Sequence, residues 1–108
     1  MNKLPTNIRD NLHFLIAEVT TQLEDLKRHT KSPSTVRAQR VLDRRGYSEN
    51  LMLRIQNACI QEIAEAEKRE ISILRAIQSI AADLDRIAAL ARDAIYQMSH
   101  IEDRKVIS

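Results

Sequence analysis

The sequence predicts an all-α fold, an antiparallel three-helix bundle with a long third helix. Three observations predict it. The 108 residues contain one Gly and two Pro, far below average usage of about 7% and 5%, so strands joined by tight turns are disfavoured. Apolar residues recur at three- and four-residue steps in three separate stretches, the spacing of one helical face. The core residues on offer are Leu, Ile, Val, Ala and Met, with one Phe and no Trp, which suits helix seams better than a ring-walled ligand pocket.

The first helix is predicted over residues 6–31, with Thr6 or Asn7 as cap. Ile8, Leu12, Leu15, Val19, Leu23 and Leu26 make its buried stripe, widened by Phe14 and Ile16. Pro33 disfavours helix at the residue before it and ends this segment. The second helix is predicted over residues 34–63, capped by Ser34, burying Val41, Leu42, Leu51, Met52, Ile55, Ala58, Cys59 and Ile63. Its seam is interrupted by Arg45, Ser48 and Glu49, and Gly46 in the same turn costs about 1 kcal/mol of helix propensity against Ala.

The third helix is predicted over residues 68–102. Leu74, Ile77, Ala81, Leu84, Ala88, Ala91, Ile95 and Met98 form one stripe, and Ile73, Ile80, Ile87, Ala94 and Ile101 run beside it. So wide an apolar surface calls for at least two neighbours. Ala64 to Glu70 contains no Gly or Pro, so local propensity alone would allow one rod from Ser34 to Glu102. A rod that long cannot bury its own stripes within one chain and would need exchange with a second copy. A turn near residues 64–68 is therefore expected, making residues 1–108 a single domain.

Seventeen basic and 15 acidic side chains leave a net charge of +2. This mixed surface, without interleaved aromatics, argues against nucleic acid as a partner. Arg37, Arg40, Arg44 and Arg45 give one local basic bias, and Arg37, Arg40 and Arg44 are the candidate partner surface. Cys59 is the single cysteine and lies among apolar positions, which fits a packed thiol in a reducing, cytoplasmic setting. The N-terminus lacks a secretory apolar segment, and no apolar run approaches the ~20 residues of a membrane span. Location beside a membrane is compatible with this.

Catalysis is not expected. His13, His29 and His100 are far apart and none sits in the Glu-x-x-His spacing of di-iron bundles. A single Gly allows no phosphate-cradling loop, and Cys59 has no local base.

Asp83-Leu84-Asp85-Arg86-Ile87-Ala88-Ala89 resembles the signature helix of the PhoU family, regulators of phosphate uptake, whose pattern is of the type Asp-Leu-Glu-Arg-Ile-Gly/Ala-Asp. Arg45-Gly46-Tyr47-Ser48-Glu49-Asn50-Leu51 is similar to the family's Asp-x-x-Ile-Asp-Asn-Leu segment. Asn11-Leu12-His13-Phe14-Leu15 and Glu18-Val19-Thr20-Thr21-Gln22 resemble a bacterial PhoU-like subgroup. The likeness spans about Ile8 to Glu102 and implies one three-helix repeat where the family usually carries two. It further implies a face on which a second repeat, or a homodimer partner, would dock.

The family's paired acids, four residues apart, hold metal ions in some members through hard oxygen ligands. Arg45 and Glu49 stand at one such pair here, and Asp85 and Ala89 at the other. These are degenerate metal-site positions with half of each pair lost, so metal is disfavoured and no cofactor is expected. The charge pattern instead suggests that Arg45 substitutes for the metal with a forked ion pair to Glu49 and Asp85. The resemblance implies a non-enzymatic regulator that binds a transporter ATPase or a sensor kinase. The alternative is a structural helical dimerisation or scaffold module with no phosphate-linked role.

Overall fold

The computed structural model describes the backbone of residues 4–107 and the side chains of residues 4–101. The described residues form a helical bundle, without strands, from α1 (Thr6–Lys31), α2 (Thr35–Asp43), α3 (Tyr47–Ile63) and α4 (Lys68–Ile107). It measures 62 × 18 × 16 Å. Its length is that of α4, whose 40 residues rise about 60 Å at 1.5 Å each.

Each boundary has a local cause. α1 follows Pro5, whose carbonyl accepts from the amides of Ile8 and Arg9, while the Asn7 side chain accepts from the Ile8 amide at 3.0 Å. Pro33 separates α1 from α2, and Ser34 caps α2 by accepting from the Arg37 amide at 3.1 Å. The single helix expected over residues 34–63 is two helices. Gly46 sits at φ 92°, a left-handed conformation that other residues reach only at a cost, and it breaks the rod between Asp43 and Tyr47. The Ala64 amide still reaches the Ile60 carbonyl, but Glu65 and Ala66 tighten into three-residue bonds to Glu62 and Ile63, and α4 starts at Lys68.

This turn brings Ile63 and Ala66 against the main core, a gain that local propensity does not register. The register of α3 on α4 is set by Gln56 and Gln78, each amide bonding the other's backbone carbonyl at 2.9 and 3.4 Å. Eight residues earlier on α3, Ser48 meets Asp85 and Arg92. Along α1, Gln22 meets Arg92 and His29 meets Ser99.

The core is unevenly distributed. One cluster joins Ile8, Leu15 and Val19 of α1 to Leu51, Ile55, Ala58 and Cys59 of α3 and to Leu74, Ile77, Ala81 and Ala88 of α4. A small second one joins Ala38, Val41 and Ile95. The apolar stripe predicted for α1 is followed at Ile8, Leu12, Leu15 and Val19 and again at Leu26, which packs against the second cluster, but not at Leu23. Leu23 is 44% exposed, and Phe14 and Ile16 also face outward. Glu18, Gln22, Asp25 and His29 are buried in place of Leu23. The second stripe on α4 is likewise only partly covered, since Ile73, Ile80, Ile87 and Ile101 are 40–54% exposed.

Candidate functional site

The polar residues of α1 build the most distinctive feature of the interior. Glu18, Gln22, Asp25 and His29 follow one another at steps of four, three and four, so they share one helical face. That face turns inward together with Leu15 and Val19. A carboxylate taken out of water is costly unless it is paired and hydrogen-bonded. Glu18, 4% exposed, meets both conditions. Arg44, in the turn between α2 and α3, holds it with a two-pronged contact, Nε to Oε2 at 3.0 Å and Nη2 to Oε1 at 2.6 Å. Gln22 donates to Oε2 at 2.8 Å.

The chain of bonds continues across the bundle. Arg92 of α4 donates to Gln22 Oε1 at 3.4 Å and to Ser48 Oγ at 3.2 Å. Ser48 Oγ donates in turn to Asp85 Oδ1 at 2.7 Å. Two acids, two arginines, a serine and a glutamine thus link α1, the α2–α3 turn, α3 and α4. The charges balance within the seam. The Tyr47 ring lies 4.9 Å beneath the Arg44 guanidinium, a cation–π contact that holds the arginine over Glu18.

The electrostatics follow from this geometry. Burial pushes the Glu18 carboxyl up, but the hydrogen bonds from Arg44 and Gln22 and the charges of Arg44 and Arg92 outweigh it and leave the group below its ordinary value. Arg44 is raised, first by its hydrogen bond to Glu18. Burial pushes the Cys59 thiol up, with Glu62 adding to the effect, so Cys59 is held as a thiol and not as a thiolate.

Nearer the end of α1, Arg40 reaches Asp25 at 3.1 Å and Arg28 approaches it at 3.9 Å. His29 Nδ1 accepts from the Ser34 amide at 3.3 Å. Ser99 Oγ, which donates to the Ile95 carbonyl, lies 3.4 Å from His29 Nε2. The tautomer this implies carries its proton on Nε2, which donates to Ser99. Among the described residues, every buried side-chain polar atom has a partner.

The residues singled out from the sequence are distributed differently from the expectation. Asp85 is half-buried and bonded to Ser48, but Arg45, Glu49 and Ala89 are exposed. Among the described residues no ion pair joins Arg45 to Glu49 or to Asp85. The cation that enters the bundle at this turn is Arg44, and its partner is Glu18 on α1. The physical reason is the break at Gly46: with α2 ended at Asp43, Arg44 and not Arg45 projects toward α1. Among the described residues no three His, Cys, Asp or Glu side chains converge as a metal would require.

The three arginines of the basic surface each make a bond within the chain. Arg37 donates to the Ser32 carbonyl at 2.7 Å and so ties down the start of α2. Arg40 and Arg44 are each committed to an acid of α1, though both keep about half their side chain in solvent, 57% and 48%. They border an open groove of 940 Å³ between α1 and α2, which Glu18, Asp25, Val36 and Asp43 also line. Its charges are mixed and its floor is partly apolar, with Val36 exposed. That chemistry suits a protein segment better than a small anion.

Sequence reasoning missed Glu18, Gln22, Asp25 and His29 as interior residues, and half-buried Arg92 as a member of their network. The signal was the polar run at helical spacing on the same face as Leu15 and Val19. Comparison with family models, with characterised proteins and with solved structures returns no match for this chain.

Proposed function

We propose that this chain is a non-enzymatic regulatory domain of the PhoU type, which controls transport of phosphate or another ion by binding a protein partner. One observation carries the reading. The two segments that resemble the family's signature, residues 45–51 and 83–89, stand side by side and are joined by the Ser48–Asp85 bond. The register of Gln56 on Gln78 and of Ser48 on Asp85 supports α3 and α4 running antiparallel. We take the molecule as one antiparallel three-helix repeat, with α2 and α3 forming the broken middle helix.

The interior polar groups are spent on one another, which supports a mechanism of binding and population shift instead of turnover. Arg92, reaching Asp85 through Ser48, supplies the positive charge that a metal would bring, so we infer that no metal is needed. The groove between α1 and α2 is the contact surface in this proposal, with Arg40, Arg44 and neighbouring Arg37 at its edge. Among the described residues no helix is long and apolar enough to cross a membrane. We infer a cytoplasmic protein that meets the membrane through a transporter.

Titration of the chain against a purified phosphate-transporter ATPase subunit and against a phosphate sensor kinase tests this. Binding to one of them, weakened about tenfold by Val36→Glu in the groove, is the expected result. Binding to neither, with the chain folded and self-associating, would contradict it and favour the second reading. That second reading is a dimerisation or scaffold module, supported by the exposed isoleucines of α4.

A further inference from the structure

Ile73, Ile80, Ile87, Ala94 and Ile101 recur every seven residues along α4, and the four isoleucines are 44%, 49%, 40% and 54% exposed. Ala76, Asp83, Leu90 and Gln97 fill the positions three residues after the first four of them, and Leu90 is 62% exposed. The internal core draws on the neighbouring positions Leu74, Ile77, Ala81 and Ala88, so this outer line is additional to it. A straight helix turns by about 20° per seven residues relative to such a line. A solvated face therefore has no use for the period, whereas a helix wound against another helix does.

We propose that this outer face of α4 pairs with α4 of a second copy of the chain, the two helices running in opposite directions about a two-fold axis between Ile87 and Leu90. Charge decides both occupant and direction. In this register Ile87 of each copy faces Leu90 of the other, Ile80 faces Gln97, Asp83 faces Ala94, and Ala76 faces Ile101. Arg86, which lies 3.5 Å from Asp83 of its own helix at the exposed edge, and Asp93 flank the seam, and in the pair Arg86 of each copy turns to Asp93 of the other, giving two identical ion pairs. With the helices parallel and in register, Asp83 would face its own copy across the seam, a like-charge contact that is destabilising. Flanking charges of this kind set partner and orientation in helix pairs.

The paired seam from Ala76 to Ile101 is about 38 Å long at 1.5 Å per residue. The meeting of Gln22 with Arg92 and of His29 with Ser99 puts exposed Ile16 and Leu23 of α1 level with the middle of the seam, which broadens the apolar surface there. The pairing is independent of the regulatory reading, because it uses the face of α4 turned away from the polar seam.

Sedimentation equilibrium of the whole chain, with circular dichroism on every variant, tests it. The chain is expected to dimerise, and Ile87→Glu with Leu90→Glu to yield a monomer of unchanged helicity and melting temperature. Arg86→Glu or Asp93→Arg alone is expected to weaken the dimer about tenfold or more, and the two together to restore it. A wild-type chain that stays monomeric overturns the proposal. So does a dimer that survives the two glutamates, or single charge reversals that the double reversal does not rescue.

Discussion

Glu18 keeps its charge inside the bundle because two guanidinium nitrogens of Arg44 and the amide of Gln22 stand where water would otherwise be. Removing one partner of a fully buried pair costs roughly 3–5 kcal/mol. Arg44 is about half exposed, so solvent screens part of the loss, and Arg44→Ala is expected to lower unfolding stability by about 2 kcal/mol. Arg45→Ala, next in sequence but outside the seam, is expected to leave the denaturation midpoint unchanged. A urea titration of the two variants compares them directly. The lowered Glu18 value fixes the sign of an acid effect. Stability from a carboxyl depressed in the folded state is present above its unfolded value, about 4.3, and fades as pH falls through the lower folded value. The stability difference between wild type and Glu18→Gln at neutral pH should therefore shrink as pH falls below about 4. A difference that stays constant down to pH 2 would contradict the charged state of Glu18.

The elements show where sequence reasoning reaches and where it stops. The stripe of α4 from Leu74 to Ile95 was legible because small and branched apolar residues keep one spacing for many turns, and Leu74, Ile77, Ala81, Ala88, Ala91 and Ile95 are all buried. The stop at Pro33 was legible for a steric reason. On α1, Leu23 and Gln22 lie on different sides of the same rod. Hydrophobicity alone picks Leu23, whereas the structure buries Gln22 because Glu18 and Arg92 need it. Arg44 against Arg45 was not legible either, since it depends on one residue, Gly46, adopting φ 92°. A β-carbon there would touch nothing within 4 Å, so the cost of Gly46→Ala is conformational and should be about 1–2 kcal/mol. Gly46→Asn should cost less, because Asn tolerates the left-handed region better. Thermal denaturation of both variants checks this, and an Ala variant as stable as wild type would mean that α2 and α3 can run on as one helix.

At the scale of the whole molecule, a 62 Å body only 18 × 16 Å across leaves little interior, and part of it is occupied by polar groups. In the proposed antiparallel arrangement its stability depends on α3 and α4 folding back on each other at residues 64–67, where no Gly or Pro compels a turn. The fold-back positions the Ser48 segment against Asp85, turns the isoleucine line of α4 outward and leaves the α1–α2 groove open. The most direct test is a spin-label distance between Glu49→Cys and Arg86→Cys in a chain that also carries Cys59→Ala, measured after refolding with a large excess of unlabelled chain so that pairs within one chain dominate. Ser48 and Asp85 are in hydrogen-bond contact, so the labels one residue further on should lie within about 25 Å, allowing ~10–12 Å for the helix diameter and the remainder for the label arms. A distance near 55 Å, the length of about 37 residues of unbroken helix, would show an open rod and contradict the account.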